Sequence, residues 1–178
     1  MKRNNGWQIL AGLFVVLVTC TLGFAQDVKY NYAPGTDFSK YKTYKWVEVE
    51  GGERPNQITD GQIRDAVGTQ MTQKGFTKSE TETADLFISY QVAISQQQEW
   101  TAMGGPGIRW GGMGTATSST INVGTLALDV YDASTKKLLW TGDATKTLNP
   151  SKDPEKNLQN LQKGIAKLMK NFPPPVKK

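Results

Sequence analysis

Asp129, Asp132 and Asp143 are the carboxylates of this chain best placed to act as a group. Carboxylates held together can bind a hard cation or share acid–base work. Their spacing fits no calcium-loop motif, and a plainer account covers each of them. Asp132 begins a hairpin turn, where an aspartate accepts from backbone amides. Asp129 and Asp143 fall on the solvent-facing parity of the strands that flank the turn. Asp85 reads in the same way, as a strand-entry residue. The chain has no histidine, so Ser-His-Asp triads, Cys-His pairs and His-based zinc sites are excluded. Thr115 to Thr120 is rich in hydroxyls but lacks a G-x-S-x-G elbow. Gly104-Gly105-Pro106-Gly107 and Gly111-Gly112-Met113-Gly114 resemble phosphate loops in composition only, because no Gly-Lys-Ser/Thr follows. These residues imply no cofactor, no metal and no enzyme.

The stretch from Gln96 to Ser119 offers recognition chemistry instead. It opens with Gln96-Gln97-Gln98 and carries Trp100, Met103, Arg109, Trp110 and Met113 among glycines. Long loops inside compact domains are functional or disordered, and Trp and Arg dominate binding hot spots. Two readings stay open. One is a recognition loop that docks an envelope protein, a glycan or a lipid surface. The other is a flexible hairpin connection whose Trp residues fold back on the sheet.

The elements that would position these residues alternate between strand and helix. Val28 to Tyr32 and Thr43 to Val47 read as short strands. Thr59 suits an N-cap, Gln62 completes a capping box, and Ile58 and Ile63 occupy the staple positions. Ile63, Val67 and Met71 then line one helical face. Gly75 is placed to end that helix, with Phe76 supplying the apolar contact. Leu86, Ile88, Tyr90, Val92 and Ile94 share one strand parity, with Ser89 and Gln91 on the wet one. Ile121 to Tyr131 and Lys137 to Thr145 form a hairpin around Asp132-Ala133-Ser134-Thr135. A last helix starts at Asp153 with Pro154 at its first position. Leu158, Leu161, Ile165, Leu168 and Phe172 make its apolar stripe, and Pro173 stops it. The order is β-β-α-β-β-β-α. It predicts an α+β fold in which an antiparallel sheet of about five strands carries both helices on one face. Trp46, Trp140 and the tyrosines 30, 32, 41 and 44 read as strand packing residues.

The N-terminus gives an address. Lys2 and Arg3 precede an apolar run from Trp7 to Val18, and Gly23-Phe24-Ala25 supplies a cleavage site with the small-x-small pattern. The expectation is an exported protein. Residues 1–25 are then a signal peptide, 26–172 a single domain and 173–178 a Pro/Lys tail. Two alternatives remain: lipidation at Cys20 through the box Leu17-Val18-Thr19-Cys20, and an uncut anchor from Trp7 to Ala25, near the lower length limit for a span. Cys20 is the single cysteine, so no intramolecular disulfide can form. The formal charge of +5 falls by two when Lys2 and Arg3 leave. No basic block marks a nucleic-acid partner. Nothing in the pattern fixes an oligomeric state.

Four segments carry a family resemblance. Asp37-Phe38-Ser39-Lys40-Tyr41-Lys42-Thr43-Tyr44-Lys45-Trp46 resembles the opening signature of the bacterial envelope family known as domain of unknown function 4136. Ala84 to Tyr90 is similar to its central strand. Gly124 to Ala133, continuing through Leu139 to Ala144, resembles its hairpin signature, and Phe172-Pro173-Pro174 its end. The resemblance implies a secreted or lipid-anchored bacterial protein and brings no catalytic residues. Three function classes follow. The first is a non-enzymatic binding or assembly module using the Gly/Trp-rich loop. The second is a structural envelope protein acting by edge-strand pairing. The third, least supported by the residues, is an Asp-dependent hydrolase.

Overall fold

The computed structural model describes residues 27–49, 55–81, 83–102 and 116–175. The elements are β1 (Asp27–Tyr32), β2 (Thr43–Trp46), α1 (Gln57–Gln73), β3 (Thr77–Lys78), β4 (Leu86–Ala102), β5 (Ala116–Asp132), β6 (Leu138–Thr147) and α2 (Pro154–Leu168). Two 3-10 turns, Phe38–Lys40 and Met169–Asn171, complete them. The strands form one sheet in the order β1-β6-β5-β4-β2-β3. The α+β class stands as expected, and the sheet differs from expectation in two respects. It has six strands, because Thr77–Lys78 is too short to leave a period-2 trace. It is also mixed: β2 runs parallel to both β3 and β4, while the remaining pairs are antiparallel. The chain crosses the sheet through α1 after β2, and a crossover of this kind returns the next strand in the same direction.

Both helices pack on one sheet face over a single core. Leu86, Ile88, Leu128, Val130 and Trp140 face Val67, Met71, Ile165 and Leu168 in that core, and all are essentially inaccessible. Phe172 ties its lower end together. Its ring lies 5.3 Å from Trp140, 5.6 Å from Phe38 and 5.6 Å from Phe76. Such ring pairs contribute beyond their buried area.

The helix ends follow the local sequence signals in part. Gly75 takes φ +86. Its N–H reaches the Thr72 carbonyl and the Phe76 N–H reaches that of Met71, both at 3.0 Å, which makes the expected Schellman ending. At the other end the helix starts earlier than Thr59. Asn56 is the N-cap, and its side chain accepts from the Thr59 N–H at 3.0 Å. Thr59 is thus a capped residue, not the cap. Ile58 is 74% exposed and staples nothing. For α2, Asp153 caps the Glu155 N–H at 2.9 Å with Pro154 at the first position, as the sequence predicts.

Candidate functional site

The hairpin β4–β5 is longer than the body that supports it. Each strand has 17 residues, about 55 Å of extended chain. The pairing is continuous from Leu86↔Asp132 to Ala102↔Ala116. On one side β2 follows β4 only along Leu86–Ile88, plus a Val47 N–H to Ile88 carbonyl bond of 2.9 Å. On the other side β6 follows β5 from Tyr131 to Val123, and the Leu148 N–H closes on the Asn122 carbonyl at 2.7 Å. Beyond those points no described strand flanks the hairpin, which continues as a two-stranded arm. This corrects the expectation of a loop from Gln96 to Ser119: residues 96–102 and 116–119 are paired strand. Polar residues without alternation hid it, because strand residues exposed on both faces, as 93–99 and 118–120 are, need no apolar parity.

The apolar parity of β4 fades as the arm leaves the body. Leu86 and Ile88 are fully buried, Tyr90 and Val92 partly so, and Ile94 is 65% exposed. Ile94 is therefore not a core residue, contrary to its pattern. It stands opposite Gly124, the glycine against which Leu148 packs. Gln96, Gln97, Gln98, Glu99, Ser118, Ser119 and Thr120 are all exposed. The backbone of Trp100 belongs to β4, and its side chain lies outside the described residues. Met103, Arg109, Trp110, Met113 and Cys20 lie outside them entirely.

A second cluster sits where α1 meets β2 and β4. Asp60 accepts from both the Tyr90 hydroxyl and Arg64 Nε, the latter at 3.0 Å. The Arg64 guanidinium lies 5.1 Å from the Trp46 ring, which meets Tyr90 edge-on at 6.0 Å. These contacts seat the helix start on the sheet and leave Trp46 half-buried at its margin.

The aspartates are dispersed. Asp129 pairs with Thr141 in register, and Asp143 with Ala127. Both therefore lie on the face away from the helices, diagonal to one another. Tyr131 donates to Asp129 at 3.2 Å. Asp132 is consumed by its turn. It accepts from Ser134 N–H, Ser134 Oγ and Thr135 N–H, and from the Tyr41 hydroxyl at 2.8 Å. These donors, Ser134 Oγ first, hold its carboxyl well below the usual carboxylate range. Burial, then the bond to Asp132, pushes the Tyr41 hydroxyl up to about 12. Asp85 accepts from the amides of Lys42 and Thr43 at 2.8 Å each, which lower its pKa. Among the described residues no three Asp, Glu or Cys side chains gather to hold a metal ion. No described helix is long and apolar enough to cross a membrane. Ser89, read as wet, is 1% exposed. It is a small side chain set opposite Asp129 between larger neighbours on the open face.

The signature segments thus meet at one end of the sheet. Asp37 caps a 3-10 turn, Tyr41 ties to Asp132, and Thr43 exchanges hydrogen bonds with Asp85. The family model described as "Domain of unknown function (DUF4136)" matches residues 28–174. The chain belongs to this family. No curated protein matches it. Solved structures share the fold. A PDZ domain protein from Parabacteroides distasonis ATCC 8503 is 14% identical with a TM-score of 0.57. That match covers 85% of this chain and 37% of the other, so the chain spans little more than a third of that protein. A PelC dodecamer from Paraburkholderia phytofirmans is 13% identical with a TM-score of 0.51, covering 82% and 95% of the two chains. A second PelC dodecamer, carrying L103M, gives 15%, 0.50 and the same coverage. As a DUF4136 member the chain has its matched signatures engaged in holding β2, β4 and the β5–β6 turn together.

Proposed function

We propose that this DUF4136 protein is an exported, non-enzymatic envelope protein, a binding or assembly module that works through the β4–β5 arm. The observation that carries this reading is the arm itself, a paired ribbon that leaves the sheet with no described strand on either long edge and with residues 94–99 and 118–120 exposed. Such edges present unpaired N–H and C=O groups to any extended partner. The other candidate residues have structural partners: Asp132 and Asp85 accept from backbone amides, Asp129 accepts from Tyr131, and Asp143 lies diagonal to Asp129 on the face away from the helices. Export rests on the N-terminal pattern, with lipidation at Cys20 as the alternative route to the envelope. The Paraburkholderia neighbours, named as dodecamers, give a precedent for assembly on this fold and transfer no residue. Strand addition rests on the paired, exposed strand residues 94–99 of β4, and a contact by Trp100 and Trp110 is the alternative.

Excising the arm tests the reading. Ser95 and Val123 are direct partners, so an Asn-Gly turn can join them. The shortened protein should melt within about 2 °C of the parent, since residues 96–99 and 118–120, which it loses, are exposed. It should also lose the large native-size species that the parent forms in an extract of its own envelope. Retention of those species with a normal melting temperature contradicts the proposal.

A further inference from the structure

We propose that the partner of the arm is a second copy of this chain, joined by antiparallel pairing of the outer edge of β4 about a two-fold axis at Gln97. This rests on the arm being the interaction element and names its partner. The two end strands of the sheet are guarded. β3 is two residues long, and β1 carries the exposed pair Asp27 and Lys29, 3.4 Å apart. Short strands and edge charges are the usual protections against strand addition. The outer edge of β4 beyond Ile88 is long and sparsely charged, and among the described residues no strand covers it. From Val92 to Ala102 there is no Lys, Arg or Pro, and Glu99 is the one charge. A two-stranded ribbon is marginal in water by itself, so a third strand would stabilise it.

The sequence of this edge matches its own reverse. With the axis at Gln97, Gln97 meets Gln97, and Gln96 meets Gln98. A carboxamide carries donor and acceptor together, so it is its own complement. Ser95 meets Glu99, Ile94 meets Trp100, Ala93 meets Thr101, and Val92 meets Ala102. The 65% exposed Ile94 thereby gains an apolar partner. An axis at Glu99 would set like charges opposite. An axis at Gln98 would set Trp100 against Gln96. A two-fold perpendicular to the sheet also keeps the helices of both copies on one side, and each contact occurs twice.

Sedimentation of the purified protein over a dilution series should show a dimer. Gln97→Lys and Gln97→Glu should each weaken it by about tenfold or more without changing the melting temperature of the dilute monomer, because each sets like charges at the axis. Their equimolar mixture should restore it. In a Cys20→Ser background, Gln97→Cys should cross-link to its own copy, because directly paired Cα atoms fall within disulfide reach. Ser95→Cys should not cross-link alone but should do so with Glu99→Cys. A parent that stays monomeric throughout overturns the second copy as partner. The arm-based function is then judged by the envelope extract, which needs no self-pairing. A dimer indifferent to charge at Gln97, or cross-linked in other pairs, overturns the register.

Discussion

At the scale of single residues, most of the polar chemistry near the matched signatures builds structure. Asp132 gathers three donors from its own turn and a fourth from Tyr41, and Asp85 fixes the start of β2. Both carboxyls have lowered pKa values in the folded state. A carboxyl of this kind stabilises the fold above its unfolded pKa of about 4. That contribution is lost as pH falls through the lower, folded value, where the unfolded chain binds more protons. Stability should therefore fall on acidification below about pH 4. Asp132→Asn should flatten that acid limb while costing about 1–2 kcal/mol at neutral pH, a modest value because solvent screens the site. Chemical denaturation across pH measures both. An unchanged acid limb would show that Asp132 does not hold the turn.

Among the elements, α1 and α2 share the cover of the sheet, and the burial of α2 grows along its length. Leu158 and Leu161 are half-buried, while Ile165 is 1% and Leu168 0% exposed. Leu168→Ala should destabilise by about 2–5 kcal/mol, the range for a fully buried leucine. Leu161→Ala should cost less than half as much. Equal losses in urea unfolding would contradict this gradient. The stripe of α2 was legible because apolar side chains at three and four spacings have one way to be buried. The β5–β6 hairpin was legible because Asp132 and its hydroxyl neighbours have turn chemistry of their own. Three features were not. β3 is too short for a period, and Asn56 competes as a cap with a Thr only three residues on. Residues 93–99 and 118–120 of the arm are exposed on both faces, so nothing in their polarity marks them as strand. The candidate site was legible as an unusual segment, through its glutamines and glycines, and its edges became visible only through the register.

The whole molecule separates two tasks. One end of the sheet is bound by the family's signature residues and sealed by Phe172, whose ring touches Phe38, Phe76 and Trp140. The other end extends as a ribbon beyond β2 and β6 with exposed glutamines and few charges. A fold arranged in this way can keep its core while its arm engages a partner. Site-specific photocrosslinking in native cells tests that division directly. A crosslinker placed at the exposed Gln98 should give discrete adducts, and one at the exposed Asn31 of β1 should give none. Adducts from Asn31 with none from Gln98 would contradict the account.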